Sequence, residues 1–257
     1  MVFLLKELNK VNINKPVLIV GLPGIGNVGK IAVDFIIDNL KAQKIFDIES
    51  YNFPHAVFVN EKNMVELPTI EIYYKRANNK DLLFLAGDIQ PIDESSCYEF
   101  CNKILDFFEK YNGTEIITIG GIGLSEMPSD PRVYCTANDK KIIEKYKFKN
   151  LSNNIYGIVG PIIGVTGVLV GLAGKRNIPS IAFLAETYGH PNYLGIKSAR
   201  EILKILDSKF NLNLNFTELN KEVTDIEKNL RKKIKQIDQF RITKADERPT
   251  SKINYIG

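Results

Sequence analysis

The chain has 257 residues, 44% of them hydrophobic, which is enough to bury one large core without disulfides or metals to staple it. Its net charge of +4 is the balance of 34 basic and 30 acidic residues spread along the chain, so composition asks for no nucleic-acid partner. Three cysteines suit a reducing compartment better than a disulfide framework, and the run 1–8 is interrupted by Lys6 and Glu7 too soon for a secretion signal, so the expected location is cytoplasmic.

Short β-branched apolar runs predict strands at 17–20, 56–59, 70–74, 82–86, 116–119 and 180–184. Between them, 3.6-residue periodicity predicts helices at 29–40, 94–111, 162–176 and 198–210, the last with Ala199, Ile202, Leu203 and Leu206 on one face. The uncharged stretch 155–174 is long enough for a membrane span, but its six glycines and Pro161 favour a short helix buried against a sheet. Continuously apolar strands alternating with helices imply a three-layer α/β domain over residues 1–214, its largely parallel sheet covered on both faces.

Residues 215–240 then read as an amphipathic helix with a coiled-coil-like stripe of Leu219, Val223, Ile226, Leu230, Ile234 and Ile237, suited to contact between copies of the chain. The alternative is a helix lying back on its own domain. Residues 241–257 are polar, contain Pro249 and read as a flexible C-terminal tail ending Ile253-Asn254-Tyr255-Ile256-Gly257.

The most conspicuous motif is Gly21-Leu-Pro-Gly-Ile-Gly-Asn-Val-Gly-Lys30, a strand running into a glycine turn and a helix. Gly24, Gly26 and Gly29 satisfy the dinucleotide pattern G-x-G-x-x-G, with Glu49 where a ribose partner is sought, but Gly21-Leu22-Pro23 intervenes between strand and turn. Residues 24–30 also supply seven positions of a phosphate-binding P-loop. Ile31 then stands where Mg²⁺ needs a hydroxyl, and Asp88 is a weak imitation of the second metal-binding acid. The reading preferred is a tight turn that lets a helix pack closely.

No other constellation assembles a catalytic, metal or cofactor site. Cys97 and Cys101, one helical turn apart, fit core packing with Phe100, Ile104 and Phe108; Cys135 is the remaining thiol, and His55 and His190 sit beside prolines in separate turns. Ser125-Glu126 and Ser129-Asp130 lack a histidine base and read as surface loop, and no G-x-S-x-G elbow occurs. Glu186, Tyr188 and His190 follow a strand, where open α/β sheets hold ligands, yet they equally suit a hydrogen-bonded turn.

The glycine turn 21–30 resembles the N-terminal signature of the proteasome assembly chaperone 2 family. Thr118-Ile-Gly-Gly-Ile-Gly123, the glycine-rich segment 157–174 and Ala185-Glu-Thr-Tyr-Gly-His-Pro-Asn-Tyr193 are similar to further family features in the same order, covering about residues 15–210. The resemblance implies a phosphorylase/hydrolase-like α/β fold without that fold's active site. It also implies a non-catalytic, homo-oligomeric chaperone, archaeal in type, that assists 20S proteasome assembly by binding α subunits or a related client. Some members engage the α-ring through a hydrophobic-Tyr-any tail, which makes Ile253, Tyr255, Ile256 and Gly257 the candidate partner-binding residues, although here the tyrosine is third from the end. The competing expectations are an ATP-dependent enzyme using residues 24–30 and an oligomeric scaffold unrelated to the proteasome.

Overall fold

The computed structural model describes residues 3–91, 93–149, 151–152, 154–155, 160–217, 219–221 and 223. The chain forms two compact units, residues 1–215 and 216–257. In chain order the first comprises β1 (Leu4–Glu7), β2 (Val17–Gly21), α1 (Val28–Leu40), β3 (Gln43–Glu49), β4 (Phe58–Val59), β5 (Val65–Glu66), β6 (Ile70–Ala77) and β7 (Lys80–Gly87). There follow α2 (Glu94–Lys110), β8 (Glu115–Leu124), β9 (Val133–Ala137), α3 (Lys140–Lys145), β10 (Leu151–Ser152), α4 (Val165–Lys175), β11 (Ser180–Tyr188) and α5 (Ile196–Phe210).

Among the described residues the main sheet has nine strands in the order β1-β3-β6-β7-β2-β8-β11-β9-β10. Its centre, β7-β2-β8-β11, is parallel. The flanks are mixed, because β6 returns against β7 through the two-residue turn Asn78-Asn79, both residues at positive φ as a tight hairpin turn requires. β1, β3 and β9 also pair antiparallel with their inner neighbours.

Side-chain alternation divides the central strands between two helical layers. Leu18, Val20, Leu83, Leu85 and Ile116 join one continuous core with Phe100, Cys101, Ile104 and Phe108 of α2 and Leu169 of α4. Ile19, Phe84, Ile117 and Ile119 are buried on the opposite face, where α1 and α5 pack on each other and on the sheet. The three layers are those read from the sequence; the pairing of α1 with α5 and of α2 with α4 is set by the structure, and Cys97 and Cys101 are core residues.

Two expectations change. The helix expected at 162–176 begins at Val165, because Gly164 stands at φ +81, outside helical geometry, and Gln90 Oε1 accepts the Val165 amide at 3.2 Å. The run expected as a strand at 56–59 does not enter the main sheet. Its nearest partner in sequence, Val65–Glu66, closes on Phe58–Val59 across the turn that begins at Asn60, making a separate hairpin that leaves both strands exposed.

In the second unit Thr217, 219–221 and Val223 are helical, the Asn220 amide donates to the Phe216 carbonyl at 2.9 Å, and Leu219 and Val223 are buried. Ile226, Leu230, Ile234 and Ile237 of the predicted stripe, and Ile253, Tyr255, Ile256 and Gly257 of the tail, lie outside the described residues. Among the described residues no helix is long and apolar enough to cross a membrane.

Candidate functional site: a crevice at the strand ends

β2 and β8 are neighbours whose outgoing connections part company: β2 leads through α1 to β3 on one side, and β8 leads to β9 and β11 on the other. Open α/β sheets place ligands at such a switch point, outside the carboxyl ends of the strands. A cavity of about 540 Å³ opens there. Its walls are the turn after β2, the end of β8 and the entry to α4, with Ile25 and Ile163 exposed at the rim.

The glycine turn forms one wall by close approach. A Cβ on Gly29 would meet the Ile119 carbonyl oxygen at 2.5 Å, so the first turn of α1 rests directly on the β8 backbone. Gly26 adopts φ +62 and its carbonyl accepts the Gly195 amide at 2.7 Å, tying the turn to the start of α5. These contacts require glycines for packing alone. Gly24, by contrast, has open space where its Cβ would stand.

Lys30, the residue in the phosphate-binding position of a P-loop, is engaged elsewhere. Its ammonium lies 3.1 Å from Asp34 and 3.3 Å from Asp88 and donates to the Gly87 carbonyl at 3.1 Å. Burial lowers its pKa, but the two carboxylates outweigh that and hold it above the ordinary lysine value. Asp88 also accepts from the Thr69 amide and hydroxyl, at 3.2 and 3.1 Å; against the cost of burial, those bonds and Lys30 keep its carboxyl below the usual range. Glu49, the acid sought for a ribose, ends β3 three strands away from β2 and faces Lys6 at 3.6 Å.

The polar side chains of the cavity wall, Gln90 and Thr166, are used to build it. Gln90 Nε2 donates to the Pro23 carbonyl at 2.7 Å while its Oε1 caps α4, and Thr166 Oγ1 donates to the Ile119 carbonyl at 3.4 Å. Among the described lining residues none is ionisable. Gln90 was not singled out from the sequence, where nothing marks a lone glutamine after a strand; its role exists only once the segment after β7, the turn after β2 and the start of α4 come together.

Glu186, Tyr188 and His190 divide between two tasks. Glu186 is buried and accepts from the Arg132 amide (3.1 Å), the Arg132 guanidinium (2.7 Å) and the Tyr134 hydroxyl (3.2 Å). Burial raises its pKa, but Arg132 and Tyr134 prevail and hold it below the usual glutamate value. Tyr188 stacks on His190 at 5.7 Å between ring centroids, and His190 Nδ1 accepts the Asn192 amide at 3.2 Å. Tyr188 and His190 anchor the turn after β11, while Glu186 holds the segment that enters β9. Burial pushes the Cys135 thiol up to about 11, and among the described residues no three His, Cys, Asp or Glu side chains gather for a metal.

Fold and crevice define a three-layer α/β protein that keeps an uncharged hollow where related architectures hold their ligands. The chain belongs to the PAC2 family, whose profile matches residues 18–234. It is 27% identical over 242 residues to MJ1210 of Methanocaldococcus jannaschii, covering 93% of this chain and 92% of that one. Among solved structures it is similar to Pyrococcus furiosus PbaB, described as an archaeal proteasome activator: TM-score 0.83 and 30% identity, over 90% of this chain and 98% of PbaB. It is also similar to Pyrococcus furiosus PbaA, described as an archaeal homolog of proteasome-assembly chaperone: TM-score 0.69 and 25% identity, over 93% and 99% of the two chains.

Proposed function

We propose that this protein is a non-catalytic, cytoplasmic chaperone that binds the 20S proteasome through its α subunits and works as a homo-oligomer. The observation that carries the reading is family membership together with 30% identity, over 90% of the chain, to a protein described as a proteasome activator. Support comes from the crevice, whose described lining offers no general acid, base or charged anchor, and from Lys30, whose ion pairs hold it away from a phosphate. Residues 1–214 form the chaperone domain, 215–240 an amphipathic helix and 241–257 a tether. Leu219 and Val223 are buried within one chain, so self-contact through the helix falls to Ile226, Leu230, Ile234 and Ile237.

Ile253, Tyr255, Ile256 and Gly257 are the docking residues of the tail. Ile253, Tyr255 and Ile256 place an aromatic anchor among aliphatic ones on an otherwise polar segment, the kind of side-chain set a groove takes up. The test is the affinity of wild-type, Gly257-deleted and Tyr255→Ala proteins for isolated α-rings; three equal affinities would exclude the tail as the contact, and absence of binding by all three would exclude the chaperone reading. The higher similarity to PbaB than to PbaA favours, as a second role, stimulation of the mature particle, read as faster peptide hydrolysis by the 20S proteasome when the protein is added.

A further inference from the structure

The crevice and the hairpin β4–β5 rise from the same end of the sheet. β3 and β7 are each antiparallel to β6, so β3 finishes where β2, β7, β8 and β11 finish. The excursion 50–69 that joins β3 to β6 therefore starts and ends at the same end of the sheet as the crevice, with β7 between β6 and β2. Its base is fixed: the Phe53 and Phe3 rings lie 6.0 Å apart, and Asn52 Nδ2 donates to Ser96 Oγ at 2.9 Å. Its tip is bare, with Val57, Phe58, Val59, Met64, Val65 and Leu67 between 46% and 75% exposed. A two-stranded ribbon is marginal in water alone, and an apolar patch of this kind marks a contact surface.

The crevice is the complement of that tip. β2 pairs with β8 only as far as Val20 and Thr118, whereas β11 follows β8 to Leu124; Gly29 and Thr166 take up Ile119, and no described strand pairs with that side of β8 from Gly121 to Gly123, along the cavity. Among the described strands β4 pairs with β5 alone and so also has an open edge. Segment 56–59, Ala-Val-Phe-Val, carries no charge, and the described cavity lining offers none.

We propose that the crevice seats segment 56–59 of a second copy of this chain, laid along β8 from Gly121 to Gly123, and that two copies exchange hairpins reciprocally. Strand-edge pairing supplies main-chain hydrogen bonds, and alternate side chains of the segment enter the cavity. Because hairpin and crevice share one end, a two-fold axis through that end lays each hairpin over the other copy's crevice and covers both apolar surfaces at once. A head-to-tail contact leaves one hairpin and one crevice bare in every pair. The excursion and the crevice rim together approach the roughly 20–30 residues a side that a stable interface uses. A foreign protein would have to bring the same uncharged extended segment, whereas a second copy carries it by construction. This contact is separate from the C-terminal stripe and does not depend on proteasome binding.

The experiment uses the full-length chain. Val59→Cys and Ile163→Cys proteins are mixed and mildly oxidised; the three native cysteines are buried, which keeps background low. A covalent heterodimer is expected from the mixture, and it reads this contact even if the C-terminal helix also joins copies. In sedimentation, Val59→Asp and Ile163→Asp each weaken self-association at least roughly tenfold, equivalent to about 1.4 kcal/mol. Both positions are solvent-exposed within one copy, so the dissociated chain keeps its native circular-dichroism spectrum and its melting temperature falls only by what lost self-association accounts for. Mixing the two aspartate variants recovers part of the association through the one intact hairpin–crevice pair. Absence of the mixed crosslink, or unchanged association in both aspartate variants, overturns the proposal and leaves the crevice to a segment of another protein. A wild-type chain that is monomeric at micromolar concentration overturns it as well.

Discussion

Within the glycine turn, two glycines of the same motif do different work. Gly29 has a backbone oxygen where its Cβ would go, and a backbone atom cannot swing aside as a long side chain can; Gly24 faces open space. Gly29→Ala is therefore expected to cost about 3 kcal/mol through displacement of α1 from β8, and Gly24→Ala to stay within about 0.5 kcal/mol. Urea denaturation midpoints at constant slope separate the two, and equal effects would remove the packing explanation. Glu186 supplies the pH dependence. Its folded pKa lies below its unfolded value, so it stabilises the protein above the unfolded glutamate range, and that contribution is lost as pH falls through the folded pKa. Asp88 acts with the same sign. Asp34, whose pKa is raised mainly by burial, acts with the opposite one. Glu186→Gln should cost about 1–2 kcal/mol near neutral pH, since it weakens the bonds to Arg132 and Tyr134 but leaves an arginine still in contact with solvent. It should also flatten the acid limb of stability against pH, and an unchanged limb would assign that limb to other carboxylates.

The element most open to misreading is the β2–turn–α1 unit, because its sequence satisfies most of a nucleotide motif. What argues against a phosphate there is the company Lys30 keeps, and that company is partly local and partly not. Asp34 lies one helical turn ahead of Lys30, so the first ion pair was available from spacing. Asp88 lies 58 residues along the chain and meets Lys30 only because β7 pairs with β2. Titration with Mg²⁺ and ATP is expected to give no saturable heat, whereas micromolar binding lost on Gly26→Val would restore the enzyme reading. The segment 56–59 misleads in the reverse direction. Its composition is that of a core strand, yet its partner is supplied seven residues on, and a local hairpin closes with less loss of chain entropy than a distant pairing. Exposure of such a strand is the mark of an interface, which composition by itself does not reveal.

For the molecule as a whole, stripe, hairpin and tail are three proposed surfaces for other proteins, while the cavity at the strand ends has a neutral lining among the described residues. Replacing Ile226 and Leu230 with aspartate is expected to lower the oligomeric state by sedimentation, leaving the hairpin contact in place; an unchanged mass would return the stripe to packing within its own chain. The family and the three layers were legible from sequence, because period 2 against 3.6 and the spacing of glycines are local properties carried by each segment. The same local signals located α1, α2 and α5 to within two residues at each end. The antiparallel flanks, the late start of α4 and the cap that Gln90 provides all depend on which strands become neighbours. That choice is settled by burial and pairing between residues tens of positions apart. It decides whether an apolar run becomes core or contact surface, and whether a lysine beside a glycine turn faces a ligand or two carboxylates.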